Sequence, residues 1–306
     1  MFNFSAKFPF VWNTTMTSEE KAGKEKRSIA LTSVIAAVFL TGFKLVIGLL
    51  TGSLGILSEA LHSSLDLAAA VITFFAVKIS DTPPDEDHNF GHGKIENYSA
   101  LIETLLLVVT CVWVVYEAVR RMVTNEVHID VTVWSFIVII TSIVIDFGRS
   151  RALYKVAKKH ESQALEADAL HFSTDIWSSL VVLIGLIGAA FNYYYADPIA
   201  ALIVAVIVLT VSYRLGKRSF DALIDRAPRG LKERIEKIIS EILEVKHYHD
   251  IKIRESGPLK FVELNIHVDN NITIDRAHEI SHMVEEAIST KIKNVKVMVH
   301  IEPESH

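Results

Sequence analysis

The sequence predicts a membrane protein in two parts: an all-α transmembrane domain of six helices, followed by a small C-terminal α+β domain. Half of the 306 residues are hydrophobic, and most of them fall in long runs before about residue 217. Residues 218–306 are instead polar and rich in Lys, Glu, Asp and His. Only 22% of the residues are charged, which excludes an ordinary disordered chain.

Charge and cysteine content exclude further classes of protein. The net charge of -5 gives no overall attraction to nucleic-acid phosphates, so we expect no nucleic-acid partner. The single cysteine, Cys111, rules out an intramolecular disulfide and a Cys-based zinc finger. The 13 histidines are a high number, and their positions carry most of the functional argument.

Six apolar segments reach the length of about 20 residues that a helix needs to cross the hydrocarbon core. They cover about 29–51, 54–79, 97–121, 131–152, 166–191 and 197–216. The second and fifth are weaker, because each contains a His and an Asp, but their position between clear spans favours crossing. Lys and Arg are concentrated in every second connection between the spans, with Arg120 and Arg121 as the one discordant detail, so both termini should be cytoplasmic.

These segments divide the chain into a cytoplasmic N-terminal tail (1–28), a transmembrane transport domain (29–217) and a cytoplasmic domain (218–306). The last domain is predicted to have the order α-β-β-α-β, which is ferredoxin-like. Its elements are a helix at 231–243, strands at 250–255 and 261–268, a helix at 274–288 and a strand at 295–301.

Two H-x-x-x-D pairs lie inside predicted spans: His62 with Asp66, and His171 with Asp175. Partners four residues apart share one helix face. An Asp near the bilayer centre costs about 2.5–3.5 kcal/mol, and a cation between the helices would compensate for that cost. Two imidazoles and two carboxylates suit tetrahedral Zn²⁺, whereas an all-oxygen site would favour Mg²⁺ or Mn²⁺. The alternative is that each His bonds its own Asp and only holds the helices together.

Three stretches in order, residues 57–66 (LSEALHSSLD), 88–96 (HNFGHGKIE) and 166–175 (EADALHFSTD), make the sequence resemble the cation diffusion facilitators. This family consists of zinc-exporting metal–proton antiporters, and the resemblance covers nearly the whole chain from about residue 29. It implies a homodimer in the lipid bilayer. It also implies a transport site made of His62, Asp66, His171 and Asp175.

The loop after the second span contains Asp85, His88 and His92 at a spacing suited to metal binding. A solvated acidic loop is the alternative explanation. The resemblance implies a second, lower-affinity metal site here. It further implies that Lys94 pairs with Asp225 near the dimer interface.

In the cytoplasmic domain, the resemblance implies a two-metal site at the dimer interface that contains His249, His278, His300 and Glu302. The strand position expected to be His is Asn265. His267 lies two residues later on the same strand face and is the candidate substitute, which leaves the occupancy of this site open. The alternative is a set of surface histidines on a small α+β domain.

Residues 278–282 match the H-E-x-x-H motif of zinc proteases, in which Glu279 would be the general base. This is the weaker interpretation, because the short domain leaves little room for a substrate cleft.

Together these features predict a transporter, not an enzyme, that exports Zn²⁺ from the cytoplasm in exchange for protons. The alternative ions are Cd²⁺, Co²⁺, Ni²⁺ and Fe²⁺, and Zn²⁺ is also the expected regulatory ion of the cytoplasmic domain. The short loops suit a prokaryotic inner membrane. Two other functions are weighed against transport: a membrane metal sensor without flux, and a membrane-tethered metalloprotease.

Overall fold

The computed structural model describes residues 18–124, 133–190 and 196–304. The aromatic N-terminal tail and the breaks after the third and fifth predicted spans therefore lie outside the described residues.

Six long helices cover the six predicted spans. They are α1 (Ser18–Thr51), α2 (Leu54–Ser80), α3 (Lys94–Thr124), α4 (Val133–His160), α5 (Gln163–Ala190) and α6 (Ala196–Leu223). Within the part of the chain that the structure describes, three segments are long and apolar enough to cross a membrane by length and composition alone: Glu20–Thr51, Ile56–Ser80 and Lys94–Arg120.

Several helices extend beyond their predicted spans, and α4 shows the physical reason. Its apolar run ends near residue 152, but the helix continues to His160. Leu153 and Ala157 in the added turns are buried, while Lys158 is exposed. One apolar stripe is enough to continue a packed helix, whereas a continuous apolar run is needed to predict a span.

Many small side chains line the contacts between the transmembrane helices, together with a few large ones such as Leu165 and Phe172, while many other large apolar side chains face outwards. The buried cluster between α1, α2, α4 and α5 includes Ala30, Ala37, Ala70, Ala157, Ala164 and Ala169. Small residues let helix backbones approach closely, which is how helices pack in lipid. Leu50 and Val123 are 79% and 77% exposed, as expected for side chains that meet acyl chains.

The C-terminal part follows the predicted order. It consists of α7 (Leu231–Ile239), β1 (His247–Ser256), β2 (Leu259–Val268), α8 (Ile274–Lys291) and β3 (Val295–Pro303). The strands form one sheet in the order β1-β2-β3, with β1 antiparallel and β3 parallel to β2. Ile235, Ile266 and Ile288 lie at the centre of the core between the sheet and the two helices.

Strand β1 begins at His247, three residues before the predicted start. Its pairing with β2 shifts between His249 and Lys252, and Asp250 has a positive φ of 54°. Such a bulge interrupts the alternation of apolar residues, so the pattern read from sequence begins only after it. The consequence is that His247 and His249 are strand residues that pair with His267 and Asn265.

The turn between β1 and β2 packs against the start of α3. A Cβ on Gly93 would overlap the carbonyl oxygen of Ser256, and a Cβ on Gly257 would lie 2.6 Å from the Gly93 oxygen. The Gly257 amide donates to Asn97 Oδ1 at 2.9 Å. Two backbones thus touch where the cytoplasmic domain meets the transmembrane helices, and neither position has room for a side chain.

Candidate metal centre

Helices α2 and α5 contact each other, and their two H-x-x-x-D pairs face one another across this contact. Asp66 and His171 are buried, with 8% and 5% of their surface exposed. The His62 side chain stays 39% exposed, so the site is open on one side.

Four side chains from the two helices meet here, and ligand atoms of three of them, His62, Asp66 and Asp175, all lie within 4.8 Å of one another. His171 Nε2 lies 3.1 Å from Asp66 Oδ1 and 3.8 Å from Asp175 Oδ2. His62 Nε2 lies 3.7 Å from Asp175 Oδ1 and 3.8 Å from Asp66 Oδ1. Two ligand atoms that are each about 2.1 Å from a tetrahedral Zn²⁺ lie about 3.4 Å apart, which is within this range. Each histidine approaches the Asp of the other helix more closely than the Asp of its own.

A buried lysine lies beside this group. Lys44 Nζ on α1 donates to Ser63 Oγ at 2.8 Å and pairs with Glu59 at 3.2 Å. Ser63 is the residue after His62, so the fixed positive charge of Lys44 is anchored next to a histidine of the site.

A second polar network connects α5 to α1 and α4. Ser33 Oγ donates to Asp168 Oδ2 at 3.2 Å and accepts from Arg149 Nη2 at 3.1 Å. Arg149 also pairs with Asp146 at 3.2 Å, and its guanidinium stacks over the Phe172 ring, next in sequence to His171, at 3.5 Å. No site role was predicted for these residues from the sequence. The charges inside predicted spans were the signal that could have identified them, because such charges usually mark functional positions.

The loop between α2 and α3 brings its three predicted residues together. His88 Nδ1 and His92 Nε2 lie 3.2 and 3.4 Å from the two oxygens of Asp85. The backbone amide of His88 donates to Asp85 Oδ1 at 2.6 Å, and this hydrogen bond is the main reason that the pKa of the Asp85 carboxyl lies below its ordinary value. Asp85 is therefore anionic at neutral pH, as a metal ligand must be.

A third group forms on the sheet of the cytoplasmic domain. His249 Nε2 lies 3.0 Å from His267 Nε2, and both lie within 3.4 Å of Glu302 Oε2. Asn265 is not placed as a ligand, because its Nδ2 donates a hydrogen bond to the other oxygen, Glu302 Oε1, at 2.8 Å. The histidine shifted by two residues therefore joins the group, while Asn265 orients the carboxylate.

Two predicted ligands of this domain are not among the three described residues whose ligand atoms all lie close together. His300 Nε2 lies 3.7 Å from Glu302 Oε1 with its side chain 68% exposed. His278 contacts His282, one turn further along α8, and not the sheet histidines.

The ion pair implied near the dimer interface is present within the chain. Lys94 Nζ lies 2.8 Å from Asp225 Oδ1 and donates to the carbonyl of Leu223 at 3.3 Å. It ties the start of α3 to the end of α6.

Two family models match adjoining parts of this chain. The cation efflux transmembrane domain matches residues 30–224, and the cytoplasmic domain of cation efflux proteins matches residues 227–304.

Full-length relatives are also similar. An uncharacterised transporter of Methanocaldococcus jannaschii is 34% identical over 280 residues, which is 91% of this chain and 99% of the relative. The cation-efflux pump FieF of Cronobacter sakazakii is 30% identical over 90% of this chain and 91% of its own length. Among solved structures, the metal-bound C-terminal domain of the CzcD transporter from Thermotoga maritima is 24% identical. The match covers 24% of this chain and 86% of that domain, with a TM-score of 0.23.

Proposed function

The chain belongs to the cation efflux family, whose members are membrane transporters and not enzymes, and from this premise we propose that it exports Zn²⁺ from the cytoplasm in exchange for protons. The observation that carries the proposal is the convergence of His62, Asp66, His171 and Asp175 between α2 and α5.

The ligand set favours zinc as the transported ion. Two imidazole nitrogens and two carboxylate oxygens match the mixed nitrogen and oxygen ligands of tetrahedral Zn²⁺. Mn²⁺ prefers oxygen ligands, so the two histidines count against it. Cd²⁺, Co²⁺, Ni²⁺ and Fe²⁺ share the same ligand types and are the competing substrates to test.

Proton exchange follows from the same ligands. Imidazole and carboxylate groups must give up their protons to bind a metal ion, so protons and metal compete for the site. An ordinary histidine has a pKa of about 6.5, close to physiological pH. When the site opens to a more acidic outer side, protonation of His62 and His171 would release the ion. The protons would return inwards as α2 and α5 move against the other helices.

The remaining parts fit a regulated transporter. We propose a homodimer in a prokaryotic inner membrane with both termini in the cytoplasm, and with a transport domain at 29–217 and a cytoplasmic domain at 218–306. The Asp85 loop would hold a second, weaker ion. Zn²⁺ at the His249, His267 and Glu302 group would act as a regulatory ion.

The test is Zn²⁺ flux into liposomes that contain the purified protein, under an imposed pH gradient. We expect the double variant Asp66→Asn, Asp175→Asn to lose flux to background, because amides remove both anionic ligands but keep the side-chain shape. Ser64→Ala is the matched control: it lies on α2 between the two ligands, but is exposed and hydrogen-bonds its own helix.

Two results would contradict the proposal: no gradient-dependent flux from folded wild-type protein, or full flux in the double variant. Parallel assays with Fe²⁺, Cd²⁺ and Mn²⁺ would then rank the substrates.

A further inference from the structure

Two cations near the helix ends that adjoin the C-terminal domain have no anionic partner. We infer that Lys155 on α4 and Arg214 on α6 bind the headgroup phosphate of an anionic phospholipid, in a groove whose floor is α5. This inference goes beyond the proposed transport function and does not depend on it, because it requires only that these helices lie in a membrane.

The first helical turn of α5 shows how the flanking helices share one anion. Lys158 Nζ on α4 lies 2.8 Å from Glu166 Oε1, and Arg218 Nη1 on α6 lies 2.9 Å from Glu166 Oε2. Helix α5 contacts both α4 and α6. Side chains from the two flanking helices therefore reach one carboxylate on α5, and we call these three residues the paired layer.

One helical turn deeper in the membrane, the same arrangement has two cations but no carboxylate. Lys155 and Arg214 precede the two paired cations by three and four residues, so they lie on the same helix faces. The α5 position at this depth is Leu170, four residues after Glu166. Lys155 and Arg214 are exposed, and neither pairs with a carboxylate among the residues that the structure describes. An anion from outside the chain would complete this open layer.

Aromatic and apolar side chains surround the open layer. Tyr154 and Tyr213, each the residue before one of the two cations, are exposed. Trp177 lies seven residues after Leu170, on the same face of α5, and is also exposed. Tyr and Trp side chains are enriched at the depth of the lipid headgroups. A phosphate held here would continue into apolar surface suited to acyl chains, and a phospholipid supplies both parts.

The opposite side of the paired layer does not attract anions in the same way. A cavity there, between the helix ends and the C-terminal domain, is lined by Ala157, Lys158, Glu161, Glu166, Arg218, Glu255 and Lys260. Its three carboxylates balance its three cations. The uncompensated positive charge is thus on the membrane side, which favours a lipid over a free anion from solution.

The competing explanation is that Lys155 and Arg214 are solvated charges that only set the orientation of the helices. Such charges attract anionic lipids diffusely, so any exposed cation at the same side of the membrane would contribute alike. A bound headgroup depends instead on these two side chains, because Lys and Arg both donate charge-assisted hydrogen bonds to a phosphate.

Native mass spectrometry of the full-length protein released from detergent tests the inference, by titration with phosphatidylglycerol and with zwitterionic phosphatidylcholine. We expect tighter binding of phosphatidylglycerol. Lys155→Gln and Arg214→Gln should each weaken it by about fivefold, and the double variant by about twenty-five-fold, because one Lys or Arg near an anionic lipid surface contributes about 1 kcal/mol. Lys155→Arg keeps the charge and should bind like the wild type.

Lys78→Gln is the matched control, because it removes the same charge from an exposed position in the last turn of α2, outside the groove. Equal losses in Lys78→Gln and Lys155→Gln would overturn the inference, since they would show diffuse attraction. Equal wild-type affinities for the two lipids would also overturn it. Inorganic phosphate that binds as tightly as phosphatidylglycerol would assign the two cations to a free anion instead. Since no flux is measured, these outcomes are independent of whether the protein transports Zn²⁺.

Discussion

At the scale of single residues, Asn265 and His267 take two different roles near the sheet ligands, where the resemblance implies a single histidine ligand. His267 Nδ1 lies 3.1 Å from the carbonyl oxygen of Pro303, to which it can donate a proton. That leaves the Nε2 lone pair to face His249. Asn265 holds one oxygen of Glu302 and leaves the other for the two histidines. One residue would bind the ion, and the other would orient an anionic ligand.

This division predicts different losses of Zn²⁺ affinity for the two residues. His267→Ala should remove the ion of this group, because it deletes a ligand. Asn265→Ala should weaken binding by about tenfold, the usual effect of losing a group that orients a ligand. The measurement is Zn²⁺ competition between the full-length protein in detergent and a chromophoric chelator.

His247→Ala is the matched control, since this histidine lies opposite His267 on the neighbouring strand β1 but outside the ligand group of the described residues. Retained binding in His267→Ala together with lost binding in Asn265→Ala would place the ligand at residue 265.

The same residues show what the sequence could predict. The two H-x-x-x-D pairs were predictable, because the spacing of a helix alone puts both partners on one face. His267 was predicted as the substitute ligand, but the contact of Asn265 with Glu302 was not, since both residues lie on one strand face and only the rotamers separate their roles. The Asp168 and Arg149 network was also missed, because apolar runs give the length of a helix but not its rotation.

At the scale of elements, the bulge in β1 sets where the histidines of the sheet point. Asp250 adopts a φ of 54°, and the pairing shifts there by the extra residue. After the bulge, Ile253 faces the core. Before it, His249 faces the ligand group. The irregularity therefore lets one strand contribute both to the core and to the candidate metal site.

Replacing Asp250 should test this conformation. We expect Asp250→Val to destabilise the protein by about 1–2 kcal/mol, because the left-handed region is costly for a residue with a Cβ and most of all for a β-branched one. Asp250→Gly should be near neutral. Thermal unfolding of the purified protein gives the comparison.

Lys252→Val is the control, because it introduces the same side chain at an exposed strand position that has ordinary dihedral angles. Equal losses in Asp250→Val and Lys252→Val would argue against backbone strain as the cause.

At the scale of the whole molecule, the cytoplasmic domain is held to the transmembrane helices at one close backbone contact and several polar ones. Gly93 and Gly257 form the close contact. Lys260 Nζ pairs with Glu161 at 2.5 Å, and Arg254 stacks on the Phe90 ring at 3.7 Å. His92 of the loop group is the residue before Gly93, so an ion bound in that loop would lie beside the joint between the domains.

Adding a side chain at this contact between the domains should weaken their docking. Gly257→Ala has both a Cβ clash and a positive φ of 58°, and Gly93→Ala has the clash alone. We expect each to destabilise the docked arrangement by about 1–3 kcal/mol, the typical cost of overpacking. Faster trypsin cleavage in the connecting segment at residues 224–230 would report it.

Gly148→Ala is the control, because an added Cβ there meets nothing within 4 Å, and Ala favours a helix over Gly. Unchanged cleavage in both joint variants would show that this contact does not hold the domains together.

The touching glycines also limit how the protein can be recombined. A chimaera that takes its cytoplasmic half from a relative would join two backbones shaped for different neighbours. Such a hybrid should assemble only when residues 93 and 257 come from the same parent, or when both parents have glycine there. In this respect the two halves are not interchangeable modules but a matched pair. We expect substitutions at residues 93 and 257 to depend on each other, because each backbone leaves no room for a side chain on the other.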